Sequence, residues 1–311
     1  MRGSIDAGSA VELALALRAF DAFAELGSPE LAVLAENVRL RRFRRGAPLY
    51  PSGPNLRSIH FILTGTVGVD RDDRIVSKLR SGSVVGGMAA LTREPEPRRY
   101  RALESTTTLE LACEDLEDVF DDHLPIFLGI VRSTARAIVE VRSGLGSSAG
   151  YPRVERQASS PHPLGLVEKI LVLREALGFA DNRIEALGEL AEEADESRLA
   201  TGTALWALGD DADHLLVPAR GVLGCRTANG AQRFELGSGA LAGGLDALGF
   251  LPRWYAARAE TELVALSIRR DQVIDIIEDD IELGIELLRS LAGELRRLLE
   301  RAEDSPRVIS A

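Results

Sequence analysis

The chain has 311 residues, a length that predicts two domains of about 150 residues each. Hydrophobic residues make up 45% and charged residues 27%, a composition that builds folded cores and differs from that of a disordered chain. Acidic residues outnumber basic ones by 48 to 37, and the net charge of -11 argues against a protein that binds nucleic acid through a broad basic surface.

Cysteine content and hydropathy indicate where such a chain would work. Two cysteines, Cys113 and Cys225, cannot form a disulfide framework, so a reducing compartment is favoured. No apolar run approaches the roughly 20 residues that span a bilayer, and the first residues lack the hydrophobic core of a signal peptide. We therefore expect a cytoplasmic protein that does not interact with membranes.

The first predicted elements are two helices followed by strands. Apolar side chains at helical spacing predict a helix over residues 11–26. Ser28 predicts the cap of a second helix, with Pro29 at its first position. From about residue 40 to residue 112, short alternating apolar runs between Gly and Asp turns predict the strands of a barrel or sandwich.

One helix is predicted to close this first segment, over about residues 115–142. Residues 144–163 are rich in Gly, Ser and Pro, which is typical of a linker. We expect a first domain over residues 11–143 and a second over residues 164–304.

The second domain is predicted because the chain repeats itself. At an offset of 156, Gly46, Leu49 and Gly65 match Gly202, Leu205 and Gly221. Past the turn at residues 72–73 the offset becomes 157, and Gly82, Gly86 and Gly87 match Gly239, Gly243 and Gly244. Two registers held over this length indicate a tandem duplication with one inserted residue.

The last predicted helix, over about residues 271–302, has an apolar seam. The spacing is that of a coiled-coil contact, formed by Ile277, Ile281, Leu288, Leu291, Leu295 and Leu298. Two interpretations follow from this pattern. The helix packs on its own barrel, or Leu288, Leu291, Leu295 and Leu298 mediate self-association or contact with a protein partner.

Glycines and their neighbours recur at fixed positions in both copies. The pattern in the first copy consists of Gly46-x-x-Leu49-Tyr50-x-x-Gly53, Gly65, Gly82, the run from Gly86 to Leu91 and Arg101-Ala102. It resembles the pattern of the cyclic nucleotide-binding domain, and the second copy follows it as well. This family includes the catabolite activator protein and the regulatory subunits of protein kinase A. The resemblance implies a mainly β fold with flanking helices, in which two tandem jelly-roll, cupin-like barrels each have N- and C-terminal helices.

The resemblance also implies a ligand and the residues around it. In the family a short helix presents backbone amides to a cyclic phosphate, an arginine neutralises the phosphate, and a glutamate accepts the ribose 2′-hydroxyl. A cyclic nucleotide is therefore the ligand to expect, with no other cofactor. The candidate residues are Gly86, Gly87, Met88, Arg98 and Arg99 in the first copy, and Gly243, Gly244, Leu245, Asp246, Arg253 and Trp254 in the second.

The chain departs from the family pattern at the decisive positions. Gly87 and Gly244 stand where the family has its glutamate. Glu96 stands at the arginine position of the first copy and would repel a phosphate, while Arg98 and Arg99 are displaced from that position by two and three residues. The second copy retains its arginine as Arg253, so weak anion binding with Trp254 stacking is expected there.

Two carboxylates of the cassettes, Glu96 and Asp246, have no recognisable partner in the sequence. No catalytic motif appears, so we expect a protein that is not an enzyme. The alternative of a metal-dependent cupin enzyme requires clustered histidines, whereas the histidines are scattered at His60, His123, His162 and His214. No metal site is therefore expected.

DNA binding of the catabolite-activator type needs a helix-turn-helix after the barrel. About ten residues follow the last predicted helix, so we expect no DNA partner. The sequence thus predicts a non-enzymatic regulatory protein with weak ligand sensing in its second copy. The alternative is a degenerate scaffold or interaction module that no longer binds cyclic nucleotide.

Overall fold

The computed structural model describes residues 10–50, 56–71, 74–145, 150, 162–177, 184–228 and 232–304. The chain divides into two compact units, Met1–Ser133 and Thr134–Ala311, and each is described by itself below. Most of the predicted linker at 144–163 and the turn at Asn229-Gly230 lie outside the described residues. The predicted domain bounds stay predictions.

The first unit contains two antiparallel sheets. One has the order β1-β7-β2-β5 and the other the order β4-β3-β6. Their strands are β1 (Val38–Phe43), β2 (Ser58–Thr64), β3 (Thr66–Arg71), β4 (Arg74–Arg80), β5 (Val84–Val85), β6 (Arg99–Ala102) and β7 (Thr106–Ala112).

The second unit repeats this topology. Its sheets have the orders β10-β14-β8 and β12-β11-β13-β9. The strands are β8 (Asp195–Leu199), β9 (Ala204–Trp206), β10 (His214–Arg220), β11 (Leu223–Thr227), β12 (Arg233–Leu236), β13 (Tyr255–Ala259) and β14 (Leu263–Arg269).

The strand registers of the two units correspond. Leu40 pairs with Leu109 in the first unit, and Glu196 pairs with Leu266 in the second, which are the same positions at offsets of 156 and 157. Two tandem jelly-roll barrels with flanking helices are therefore confirmed.

Each barrel encloses an aliphatic and aromatic core. In the first barrel the inner cluster contains Ile62, Val67, Val69, Tyr100 and Ala102. The neighbouring residue on β2, Phe61, points outward, and its ring lies 5.1 Å from that of Phe20 and 5.4 Å from that of Phe23. Both faces of β2 are thus covered, which explains its continuous apolar run.

Two helices precede the strands of each barrel. They are α1 (Ala10–Leu17) and α2 (Ser28–Asn37) in the first copy, and α6 (Leu166–Leu177) and α7 (Ile184–Glu193) in the second. The helix predicted over 11–26 ends early, at Leu17, and a 3-10 turn follows at Asp21–Phe23. Gly27, not Ser28, is the N-cap of α2, so Pro29 is the second residue of the helix and not the first as predicted, although it still lies in the first turn.

The prediction of one continuous helix after each barrel is wrong, because a break divides each of these helices into two. The first is α4 (Cys113–Asp122) followed by α5 (Leu124–Leu145), and the second is α9 (Arg270–Asp279) followed by α10 (Ile281–Asp304). His123 and Asp280 leave the helical conformation at φ -138° and φ -135°. Pro125 cannot continue a helix from α4, and Asp280 caps α10 by accepting a hydrogen bond from the Leu283 amide at 3.2 Å.

This break changes the interpretation of the leucine seam. Ile277 lies on α9, whereas Leu288, Leu291, Leu295 and Leu298 lie on α10 and are at most 5% exposed. The four leucines are therefore core residues of the folded chain, which favours packing of the helix within its own chain. Self-association through them stays a prediction. No helix within the described ranges is long and apolar enough to cross a membrane.

A short helix follows β5 in the first barrel and the matching bridge at Ala242 in the second. These helices are α3 (Gly87–Thr92) and α8 (Gly244–Gly249). They contain five of the eleven candidate ligand contacts that the sequence singled out, and their N-caps Gly86 and Gly243 are two more.

Candidate functional site

A left-handed glycine begins the short helix of each barrel. Gly86 caps α3 with φ 85°, and Gly243 caps α8 with φ 68°. A Cβ atom at Gly86 would overlap the Tyr50 hydroxyl, and one at Gly243 would overlap the Arg253 guanidinium. Backbone conformation and close packing therefore both require glycine at these two positions.

The second glycine of each pair differs between the barrels. A Cβ atom at Gly87 would lie 3.5 Å from Val84, an ordinary contact. The same atom at Gly244 would overlap the side chain of Leu241. This is the position at which the family has its glutamate. In the first barrel a Cβ atom fits there without a clash, whereas in the second barrel Leu241 occupies the space.

Arg253 is the charged residue at the centre of the second barrel's site, and its side chain is completely buried. Nη1 donates a hydrogen bond to the Gly243 carbonyl at 3.1 Å, and Nη2 donates one to the His214 carbonyl at 2.6 Å. The guanidinium carbon lies 4.2 Å from the ring centroid of Trp206, a cation–π contact. Backbone and aromatic groups of the barrel thus surround the arginine.

Asp246 supplies the negative charge beside this arginine. Its Oδ2 lies 3.7 Å from Arg253 Nη1, and both side chains are fully buried. Neither carboxylate oxygen has a hydrogen-bond partner within 3.5 Å among the described residues. Burial raises the pKa of Asp246 to about 7, although Arg253 acts in the opposite direction. The sequence interpretation, which gave Asp246 no partner, is corrected here.

Trp206 and Tyr255 build the wall of this site, and sequence analysis did not select either of them. The Tyr255 hydroxyl accepts a hydrogen bond from the Gly243 amide at 2.7 Å, and Trp206 Nε1 donates one to the Tyr255 carbonyl at 2.9 Å. Burial raises the pKa of Tyr255 well above its ordinary value. The repeat contained a signal for Trp206, because this residue matches Tyr50 of the first copy.

The remaining candidates of the second copy lie further from the arginine's contacts. Trp254 stacks on Phe234 with a centroid distance of 5.9 Å, and its indole nitrogen is buried without a hydrogen bond to a described residue. Leu245 is half-buried on α8. The structure therefore brings Gly243, Asp246 and Arg253 together, while Trp206 is the aromatic residue under the arginine.

The equivalent place in the first barrel is occupied by Glu96, which is buried and hydrogen-bonded. Oε1 accepts a hydrogen bond from the Arg98 amide at 3.0 Å, and Oε2 accepts one from the Tyr100 hydroxyl at 3.1 Å. Burial and the nearby carboxylate raise the pKa of Tyr100 above its ordinary value. The sequence interpretation that Glu96 has no partner is corrected as well.

The other candidates of the first copy lie on β6, directly before it, and on α3. Arg98 is half-buried, and its guanidinium acts to lower the pKa of Tyr100. Arg99 is exposed on β6, and Met88 is half-buried on α3. Tyr50, which sequence analysis used only for the resemblance, lies with its hydroxyl 3.0 Å from the Ser58 carbonyl and 3.1 Å from the Val85 carbonyl.

His60 is the buried histidine of the first barrel. Its Nδ1 lies 3.0 Å from the Thr108 hydroxyl, and its Nε2 lies 3.9 Å from Glu110. Burial lowers the pKa of His60 to about 4. Within the part of the chain that the structure describes, no group of three or more His, Cys, Asp or Glu residues is arranged to hold a metal ion.

In a comparison with known protein families, a segment of the first barrel matches a family model. Residues 40–123 match the family model of the cyclic nucleotide-binding domain. This match begins in β1 and ends at the break between α4 and α5, so it covers the strands of the first barrel and its short helix.

Solved structures that resemble the whole chain are regulatory subunits. A regulatory subunit of a cAMP-independent protein kinase A from Trypanosoma brucei is 14% identical, with 98% of this chain and 92% of that chain covered and a TM-score of 0.36. The regulatory domain of Toxoplasma gondii PKA, crystallised with cAMP, is 14% identical, with coverages of 94% and 99% and a TM-score of 0.36. A regulatory subunit from Trypanosoma cruzi, bound to guanosine, is 15% identical, with coverages of 99% and 91% and a TM-score of 0.34. A search among curated proteins returns no match.

Proposed function

We propose that the chain, whose residues 40–123 match the family model of the cyclic nucleotide-binding domain, is a non-enzymatic regulatory protein that works through protein contacts without binding cyclic nucleotide at the affinity of a sensor. The observation that carries this proposal is that neither barrel has an arginine free to bind a phosphate. Glu96 stands at the arginine position of the first barrel, and the buried Arg253 of the second barrel donates its hydrogen bonds to the Gly243 and His214 carbonyls. No cofactor or metal is part of the proposal.

Charge supports the proposal in the first barrel. The buried Glu96 carboxylate accepts hydrogen bonds from the Arg98 amide and the Tyr100 hydroxyl. A cyclic phosphate placed against Glu96 would meet a like charge and would also break the Tyr100 hydrogen bond. Leaving one such buried group unpaired typically costs about 1–3 kcal/mol, so both effects lower the affinity for an anion.

Packing supports the proposal in the second barrel. The second barrel has no glutamate for a ribose hydroxyl, and a side chain at position 244 would have to displace Leu241. Losing one partner of a buried charged contact typically costs about 2–5 kcal/mol, and each 1.4 kcal/mol is about a tenfold change in affinity. We expect affinities far below those of a working nucleotide sensor.

Isothermal titration calorimetry tests this function directly. We expect no saturable heat with cyclic AMP, cyclic GMP or cyclic di-GMP at concentrations up to about 1 mM, which corresponds to about 4 kcal/mol of binding free energy. An Arg253→Ala variant is the control and should give the same flat titration. Micromolar binding by the wild type that Arg253→Ala abolishes would overturn the proposal.

Weak ligand sensing by the second barrel is the second candidate function. The retention of Arg253 and Gly243 at the start of α8 favours it. In that case the same calorimetry gives millimolar binding in the wild type and none in Arg253→Ala. Size-exclusion chromatography with light scattering, with and without nucleotide, then shows whether assembly depends on the ligand.

A further inference from the structure

We propose that Asp246 is a built-in anion that occupies the Arg253 site of the second barrel and thereby excludes phosphate and other small anions from it. This inference deepens the proposed function and rests on it, since it names the group that closes the second site. The Asp246 carboxylate provides the negative charge that an anionic ligand would otherwise bring to Arg253. Asp246 is therefore the residue that sets which ligands the site admits.

The geometry of the pair is that of a counter-ion contact in a closed space. Asp246 Oδ2 and Arg253 Nη1 are 3.7 Å apart, and neither side chain is accessible to solvent. A buried guanidinium without an opposite charge is strongly unfavourable. The two other groups that Arg253 contacts through its Nη atoms are neutral carbonyls. Among the acidic groups that stabilise the charged form of Arg253, Asp246 has the largest effect, and Asp213 contributes less.

The contact of Asp246 with Arg253 is mainly electrostatic. Neither of its oxygens makes a hydrogen bond of good geometry to a described residue, and Oδ2 lies 3.7 Å from Arg253 Nη1. Glu96 of the first barrel, by contrast, accepts hydrogen bonds from an amide and a hydroxyl. Burial raises the pKa of Asp246, while the Arg253 charge and the Trp254 backbone amide act to lower it.

Comparison of the two copies supports the same assignment. At the offset of 157, Asp246 matches Ala89 and Arg253 matches Glu96. The barrel that keeps the arginine therefore has a carboxylate on its short helix, and the barrel that lacks the arginine has an alanine at that position. The two positions differ together, as expected if the carboxylate is needed only where the arginine is present.

Chemical rescue by formate is the experiment that separates a built-in anion from an ordinary structural residue. Asp246→Ala removes the carboxylate, and formate supplies the same functional group in free form. Thermal unfolding of the full chain is followed during formate titration, with sodium gluconate keeping the ionic strength constant. Asp275→Ala is the matched control, because it removes one exposed carboxylate from α9 with the same change in net charge.

We expect Asp246→Ala to unfold at a lower temperature than the wild type and to be stabilised by formate in a saturable way. At a formate concentration ten times its dissociation constant, the rise in Tm should be about 3 to 6 °C. The wild type and Asp275→Ala should show no saturable rise. The double variant Asp246→Ala/Arg253→Met should lose the rescue, because the cation that binds formate is gone.

Parallel titrations with inorganic phosphate and cyclic AMP measure how large an anion the opened site admits. Phosphate stabilisation of Asp246→Ala at least about tenfold stronger than that of the wild type supports exclusion by Asp246. No formate effect on Asp246→Ala, or an equal effect on the wild type or on the double variant, overturns the inference. These outcomes are independent of the wild-type calorimetry that tests the proposed function.

Asp246→Asn provides a second variant with nearly unchanged shape, and it should show the same formate dependence. If either variant folds only when formate is present, that result supports the built-in anion. If both remain unfolded with and without formate, the residue has a structural role that a free anion cannot replace, and the inference is wrong.

Discussion

Individual buried polar residues in the two barrels have partners at very different separations along the sequence. Glu96 accepts hydrogen bonds from Arg98 and Tyr100, two and four residues away, whereas Arg253 reaches the His214 carbonyl on β10. His60 contacts Thr108 on the adjacent strand β7. Burial lowers the pKa of His60, and the charges of Glu110 and Arg41 modify this shift.

His60 gives a prediction at this scale. Its pKa is lowered from 6.5 to about 4, so the unfolded chain binds a proton below pH 6.5 that the folded barrel does not bind. Stability contributed by the neutral ring is present above pH 6.5 and is lost as the pH falls to about 4. One pKa unit corresponds to about 1.4 kcal/mol, so the loss should approach about 3 kcal/mol.

Proton NMR of the histidine rings between pH 3.5 and 8 measures this shift. The signal that disappears in His60→Asn identifies His60, and its midpoint should lie near pH 4. His162→Asn, at an exposed position, should leave that midpoint unchanged. A His60 midpoint at or above pH 6.5 would contradict the burial of a neutral ring.

Short elements of the barrels depend on backbone conformation at their ends. The helices α3 and α8 both begin at a glycine with positive φ whose missing Cβ leaves space for a neighbouring side chain. The following glycine has no such requirement in the first barrel, because a Cβ atom at Gly87 would make only an ordinary contact with Val84 at 3.5 Å. Glycine is therefore required at position 86, whereas position 87 can accept a side chain.

Alanine substitutions should separate these two positions. Gly86→Ala introduces left-handed strain and a clash with Tyr50, and it should cost about 2–4 kcal/mol of unfolding free energy. Gly87→Ala should be neutral or stabilise the barrel by up to about 1 kcal/mol, because alanine is the better helix former. Urea unfolding followed by circular dichroism compares the two variants. Equal losses would show that the conformation at Gly86 is not what the barrel requires.

In the folded molecule, the apolar seam that the sequence predicts on the last helix is buried. Leu288, at 1% exposure, and its neighbours on α10 are core residues. The most exposed large apolar side chains lie instead on the first helix of each copy, at Val11, Leu15 and Val167.

Leu288→Ala should therefore reduce stability rather than alter assembly. Truncation of a buried leucine typically costs about 2–5 kcal/mol, whereas Leu171→Ala, at a 48% exposed position on α6, should change stability by less than about 0.5 kcal/mol. Urea unfolding and light scattering measure the two effects. A Leu288→Ala chain that keeps its stability but loses an oligomeric state would revive the self-association interpretation.

The sequence alone determined the duplication, the barrels and the positions of the turn glycines. Such features depend on spacing along the chain and on local backbone requirements, which a repeated pattern of Gly46, Gly65, Gly86 and Gly243 exposes directly. The helix break at His123 was also available, since Pro125 stands beside it.

Only the tertiary structure decided which side chains meet inside each barrel. Trp206 lies under Arg253, Leu241 closes the space at Gly244, and Asp246 pairs with the arginine seven positions later in the chain. These contacts join different strands and the short helix across the barrel interior. Their energies depend on burial and on interatomic distance, quantities that arise only when the sheets close around them.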